Sequence, residues 1–319
     1  MTSDGVALRL ERIAGGFADP TDLAFLPDGR VFVAERAGSV RVLRDGQVLQ
    51  DAALSPSPLT SGEDHLLALA IDPQFGRTHY VYAIITATSR TGGAAFALVR
   101  FREAANTLAD RIVLLSDIPA SPDGPSASLR FGADGKLFAA FDDAGSHGLA
   151  GDLASPNGKI LRLNPDGTTP GDQEGGTPLY SYPYSSPRGL DWQRTSRMLW
   201  IADRIGLESG RLSVVTSGVR TRGMIRRAMT LPQETVPSSI AFYDGDRIAA
   251  FRDNLLVASD EGRHLLRIQI DPLEPTRIVA TERLLQDRIG GIRLVGVAPT
   301  GEVYVATADA IGTLAPAER

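Results

Sequence analysis

Six times along this chain, near residues 28, 73, 134, 195, 245 and 300, a turn leads into a short apolar run, a polar loop and a second short run. Asp28-Gly29 precedes Val31-Phe32-Val33 and Val40-Arg41-Val42-Leu43. Asp134-Gly135 precedes Leu137-Phe138-Ala139-Ala140 and, after a long loop, Ile160-Leu161-Arg162-Leu163. The pattern returns after Asp244-Gly245 and after Thr300-Gly301, with weaker copies starting at Asp72-Pro73 and near Arg194. Asp-Gly supplies residues that tolerate positive φ in tight turns. Short runs of Val, Ile, Leu and aromatics suit buried strands. No long window keeps the i, i+3, i+4, i+7 spacing of a helix. Repeats of roughly 40–50 residues that cannot bury their own faces must pack on their neighbours, and all-β units do so by radial closure. The expectation is an all-β, six-bladed β-propeller forming one domain over residues 1–319. The competing reading is a β-sandwich with coincidental Asp-Gly turns.

Bulk properties narrow the function. The net charge is -5, with 22% charged residues and no run of like charge. Nucleic acid and anionic membrane surfaces, which need clustered positive charge, are not expected partners. The chain has no cysteine, which excludes disulfides, thiolate nucleophiles and Cys-ligated metals. The first residues lack a basic stretch followed by an apolar one, so a cytoplasmic location is expected, or a periplasmic one for a processed form. There is no Gly-x-Ser-x-Gly elbow, P-loop, His-Glu-x-x-His or dinucleotide glycine pattern.

Several segments together resemble one family. Residues 20–36 open with Pro-Thr-Asp-Leu-Ala-Phe-Leu-Pro-Asp-Gly. Residues 62–75 read Gly-Glu-Asp-His-Leu-Leu-Ala-Leu-Ala-Ile-Asp-Pro-Gln-Phe. Then follow 131–137, Asp142-Asp143-Ala144-Gly145, 158–167, Ser185-Ser186-Pro187-Arg188-Gly189-Leu190, Leu199-Trp200 and 293–304. Their order and content are similar to the soluble quinoprotein sugar dehydrogenases, the glucose/sorbosone and aldose dehydrogenases. That resemblance implies a six-bladed propeller using pyrroloquinoline quinone (PQQ) and calcium.

The same resemblance implies a set of functional residues, and this chain departs from them. The family's base is a His in a His-x-Gly-Gly-x-Leu-x-Phe motif, which takes the sugar hydroxyl proton as hydride passes to the quinone. Counting back from Phe131, that position is Gly124. The Arg-Asn pair that holds the cofactor corresponds to Ser185-Ser186. The Glu-His-Gly-Pro segment associated with calcium and cofactor corresponds to Asp203-Arg204-Ile205-Gly206. Of two arginines in the last blade, one position is Gly291 and the other is kept as Arg293. A tricarboxylate quinone needs cationic or amide donors, and hydride abstraction needs a positioned base. The fold is expected to persist and the quinone site to be dismantled, with no cofactor retained.

The loops expected at the mouth carry Glu63, Asp64 and His65; Asp142, Asp143 and His147; and Arg188, Arg204 and Arg293. His65, Asp64 and Asp143 are the candidate catalytic residues. His65 acts either as a replacement acid/base or as a loop residue bonded to backbone. Glu63, His147, Arg188, Arg204 and Arg293 are the candidate ligand-binding residues, since guanidiniums suit carboxylate or phosphate; Arg188 and Arg293 read either so or as ion pairs at the channel wall, and His147 either so or as a flexible surface residue. Asp142 and Asp143 are either a hard-cation site or a plain turn. Tyr180, Tyr182 and Tyr184 read as an aromatic lip or as a strand with one packed face.

Three functions follow for a small-molecule partner. The first is an enzyme working by acid/base or electrostatic catalysis without PQQ. The second is a PQQ- and calcium-dependent aldose dehydrogenase. The third is a non-catalytic binding propeller.

Overall fold

A computed structural model describes residues 2–56, 65–89, 92–206, 209–216 and 224–317. Among these residues the strands form six four-stranded sheets, the blades of a six-bladed β-propeller. The first blade is Pro20–Phe25, Val31–Glu35, Val40–Arg44 and Gln47–Val48. The second is Leu66–Ile71, Tyr80–Thr88, Ala94–Ala104 and Thr107–Pro119. The third is Ala127–Phe131, Leu137–Phe141, Ile160–Leu163 and Leu179–Ser181. The fourth is Ser186–Trp192, Leu199–Arg204, Gly210–Thr216 and Met224–Thr230. The fifth is Ser239–Phe242, Leu255–Ser259, His264–Ile270 and Ile278–Leu284. The sixth is Leu294–Val297, Val303–Ala306, Ala310–Pro316 and, as its outer strand, the N-terminal Leu8–Gly15. Two short helices, α1 (Phe75–Thr78) and α2 (His147–Gly151), sit in loops.

Each repeated turn of the sequence is the connection between the first two strands of a blade. At Gly29, Gly135 and Gly301 the backbone takes φ of +86°, +69° and +85°, which glycine adopts without steric cost. The strands that follow are buried on both faces: every residue of Val31–Glu35, Leu137–Phe141 and Leu255–Ser259 is buried. They therefore read as continuous apolar runs rather than as a two-residue alternation.

The chain divides into two compact units. In the unit 21–187 with 216–225, one apolar layer joins the first two blades through Phe32, Val42, Leu69 and Val99, and a second joins the second and third through Tyr82, Phe96, Leu129 and Phe141. In the unit 1–20, 188–215 and 226–319, corresponding layers form around Trp200, Phe242 and Leu266, and around Tyr243, Phe251 and Val305. A polar brace recurs on the first strands. Asp22 accepts the Leu69 N–H at 2.9 Å and pairs with Arg130 at 2.8 Å, and Asp191 accepts the Phe242 N–H at 2.7 Å. Each carboxylate satisfies an N–H of the next blade's first strand, a donor that burial would otherwise leave unpaired at a cost.

Candidate functional site

Loop 142–159 joins the buried strands Leu137–Phe141 and Ile160–Leu163. Three buried polar side chains clamp it. The Asp142 carboxylate accepts N–H groups from Ser126 at 2.8 Å, Ala144 at 2.9 Å and Ser121 at 3.3 Å. Burial pushes its pKa up to about 6 despite those donors, with the charge of Asp143 adding to the rise. Asn157 Nδ2 donates to the carbonyls of Pro119 at 2.6 Å and Asp142 at 3.0 Å. Lys159 Nζ donates to the carbonyls of Leu149 at 2.9 Å, Ala150 at 2.7 Å and Asn157 at 2.8 Å, and burial lowers its pKa. Two of those carbonyls belong to α2, where a cation complements the exposed C=O groups of the last turn.

This platform carries an acid–imidazole pair. The buried Asp143 accepts the Gly145 N–H at 2.9 Å through Oδ1, and Oδ2 lies 2.8 Å from His147 Nδ1. The His147 side chain, one turn along, is 89% exposed. Against a carboxylate, the hydrogen at that contact belongs on Nδ1, which leaves Nε2 of the neutral ring as a solvent-facing acceptor. The backbone N–H of Asp143 donates to the Ser185 carbonyl at 2.9 Å.

Gly124 has φ +67° and open space where a Cβ would be. Ser126 and Ser186 share a hydroxyl–hydroxyl hydrogen bond of 2.8 Å. Tyr182 is half-buried, with Lys159 Nζ 5.6 Å from its ring centre. Tyr184 is core, its hydroxyl 2.7 Å from Ser181 Oγ, and Tyr180 packs edge-on against Phe138 with centroids 5.0 Å apart.

His65 stands half-buried at the head of strand Leu66–Ile71. Its N–H donates to Thr86 Oγ1 at 2.8 Å, and its carbonyl accepts the Thr86 N–H at 2.7 Å. Glu63 and Asp64 lie outside the described residues. Asp142 and Asp143 spend their oxygens on backbone N–H groups and on His147. Among the described residues no group of three or more His, Asp or Glu is arranged to hold a metal ion.

The second unit carries the arginines. Arg188 lies half-buried in strand Ser186–Trp192. Arg204 pairs with Glu261 at 2.8 Å and donates to the Gly206 carbonyl at 2.9 Å. Arg293 sits between Asp19, with which it makes a close ion pair, and Asp260 at 3.3 Å. Burial and the charge of Glu261 raise the pKa of Asp260. At Gly291 a Cβ would fall inside contact distance of the Asp260 carboxylate and carbonyl. Asp203, fully buried, pairs with Arg211 at 2.8 Å.

Sequence reasoning missed Lys159, Asn157, Asp260 and Glu261. Lys159 had one signal: it is one of only two lysines in the chain. The others had none, because their roles come from partners distant in sequence.

Known proteins agree with this architecture along its whole length. A family model described as Glucose / Sorbosone dehydrogenase matches residues 17–210 and 209–315. The aldose sugar dehydrogenase of Escherichia coli is 24% identical, covering 92% of this chain and 88% of its own. A solved structure described as a putative oxidoreductase (glucose dehydrogenase) from Thermus thermophilus is 31% identical, covers 97% of this chain and 100% of that one, and superposes with a TM-score of 0.81. The PQQ-bound form of the Streptomyces coelicolor aldose sugar dehydrogenase is 23% identical, covers 99% of each chain and gives a TM-score of 0.80. This chain belongs to the glucose/sorbosone dehydrogenase family, a sugar-dehydrogenase-like member built on the family's six-bladed propeller.

Proposed function

We propose that this protein is a divergent enzyme of the sugar-dehydrogenase family that acts on a hydroxylated small molecule by acid/base catalysis, without PQQ redox chemistry. The observation that carries this reading is the Asp143–His147 pair, a buried carboxylate holding an exposed imidazole at 2.8 Å. Such a pair fixes the tautomer and orientation of the ring, the arrangement a general base requires. Asp142, Asn157 and Lys159 keep the platform in place, so the ring's mount needs no reorganisation. His65 is the alternative imidazole.

The donor set does not suit a tricarboxylate quinone. Position 124 offers no base. Arg204 and Arg293 face carboxylates of the chain itself, and the Gly291 position is closed against Asp260. The names of the relatives, aldose sugar dehydrogenase and glucose dehydrogenase, make aldoses the first substrates to test.

The second reading, a PQQ- and calcium-dependent aldose dehydrogenase, is favoured by the full-length match to a relative solved in a PQQ-bound form. One experiment separates the two. The protein is titrated with PQQ in the presence of calcium while absorbance is followed, and dye reduction is assayed on a panel of aldoses. The expected result is no saturable spectral change and no aldose-dependent dye reduction. A saturable change accompanied by dye reduction would restore the quinone mechanism.

A further inference from the structure

The cluster around Arg204 and Arg293 holds two guanidiniums against three carboxylates, Asp19, Asp260 and Glu261. Two of those carboxylates are consecutive residues in the turn between Leu255–Ser259 and His264–Ile270, so one short segment engages both arginines. That turn is firmly mounted. His264, fully buried, receives or donates at both nitrogens: Nδ1 lies 2.7 Å from the Gly262 carbonyl and Nε2 3.0 Å from Thr235 Oγ1. Gly262 packs so closely on the Glu234 carbonyl that a Cβ there would overlap it. Arg263 pairs with Asp287 at 3.2 Å on the outer side.

We infer that the Asp260–Glu261 turn is an internal anion that occupies Arg204 and Arg293 and so excludes polycarboxylate ligands from this cluster. The inference rests on the proposed reading that PQQ is not used, and adds the residues responsible. An incoming polycarboxylate must displace carboxylates that are tethered beside the guanidiniums, and a tethered group competes at high effective concentration. The charge left over is negative, which repels an anion further. Arg204 and Arg293 are only 23% and 28% exposed, so a ligand from solvent reaches little of either guanidinium. Position 291 cannot supply a further cation, because any side chain there meets Asp260. Asp260 and Glu261 are therefore specificity-determining residues, and a neutral or cationic ligand is the class this cluster tolerates.

The test is a double substitution, Asp260→Asn with Glu261→Gln, which keeps size and hydrogen-bonding capacity and removes the two charges. PQQ is titrated into wild type and variant without calcium, with absorbance as the readout, and citrate is added as a competing tricarboxylate. Circular dichroism and thermal melting monitor the fold. The double variant is expected to give a saturable PQQ titration at concentrations about tenfold or more below any at which wild type responds, citrate is expected to compete, and adding Arg293→Gln is expected to erase the gain. A folded double variant that binds no better than wild type overturns the inference while leaving the proposed function standing. Tight binding by wild type itself overturns both. Should the double variant not fold, Glu261→Gln alone, at a half-exposed position, carries the test: a smaller gain that depends on Arg204 supports the inference, and no gain refutes it.

Discussion

Asp143 Oδ2 and His147 Nδ1 lie 2.8 Å apart, the acid 8% exposed and the ring 89% exposed. The acid is anchored from behind by the Gly145 N–H and by its own N–H on the Ser185 carbonyl. The ring is presented from α2, whose last turn is held by Lys159. A neutral imidazole in this contact carries its hydrogen on Nδ1. Asp143→Asn is expected to break that assignment, because the amide can turn either its N–H or its C=O to the ring. Nitrogen-15 correlation spectra should show a single Nδ1–H tautomer in wild type at pH values where the ring is neutral, and a mixture in the variant. A wild-type ring protonated mainly on Nε2 would contradict the pairing.

Turnover should depend on the same ring. Once an aldose-derived or related substrate is found, His147→Gln is expected to lower kcat by about 10²–10⁴-fold, the range for loss of a general acid or base. Stability should stay within about 0.5 kcal/mol, as for other exposed positions. His65→Gln is the paired control. A large loss in that variant and none in His147→Gln would move the acid/base role to the second blade.

Lys159 anchors the platform. Lys159→Met fills similar volume but leaves two buried carbonyls and one half-buried carbonyl without their donor, and each buried unsatisfied polar group costs about 1–3 kcal/mol. Partial relaxation and water entry reduce that, so a loss of about 2–4 kcal/mol is expected in urea denaturation, with faster amide exchange across α2. An unchanged midpoint would show that the ammonium is not what holds the loop.

Asp142 makes a prediction about pH whose sign is unusual for a carboxylate. Its folded pKa is about 6 and its unfolded value near 3.8. Between those values the folded chain holds the extra proton, so this residue's contribution is best at low pH and declines as pH rises from 3.8 to 6, by about 1–3 kcal/mol. Asp142→Asn removes the titration. The difference between wild-type and variant unfolding free energies should therefore shift against wild type across that window. A difference curve that rises with pH would be the wrong sign for a burial-dominated group.

Asp4 carries the opposite sign. It accepts two hydrogen bonds from Arg267, at 2.7 and 3.0 Å, and its pKa falls to about 2, chiefly through that contact. Its contribution is present above pH 3.8 and lost as pH falls towards 2. Arg267 is only 1% exposed and also bonds Asn254 at 2.6 Å. Asp4→Ala, which leaves that buried guanidinium short of a partner, is expected to cost about 2–3 kcal/mol at neutral pH. A calorimetric melt of the variant at pH 7 checks this, and a melting temperature equal to wild type would mean the N-terminal segment does not hold the fifth blade.

The residues around 28, 73, 134, 195, 245 and 300 announced six blades because turn chemistry and strand burial are local properties. Asp-Gly at 28–29 or 134–135 needs only its own backbone angles, and Val31-Phe32-Val33 is apolar because both its faces are covered. Family membership was legible for the same reason, since whole segments such as 158–167 keep the motif order. Partnership was not readable. That Asp143 reaches His147 depends on how α2 starts at residue 147. That Arg293 faces Asp19 and Asp260 depends on the N-terminal strand closing the last blade, which brings the two ends of the chain into one sheet. The chain's own order determines blades and turns because these rest on nearest neighbours. Charge pairing and the direction of each pKa rest on through-space distance and burial, and only the folded chain decides those.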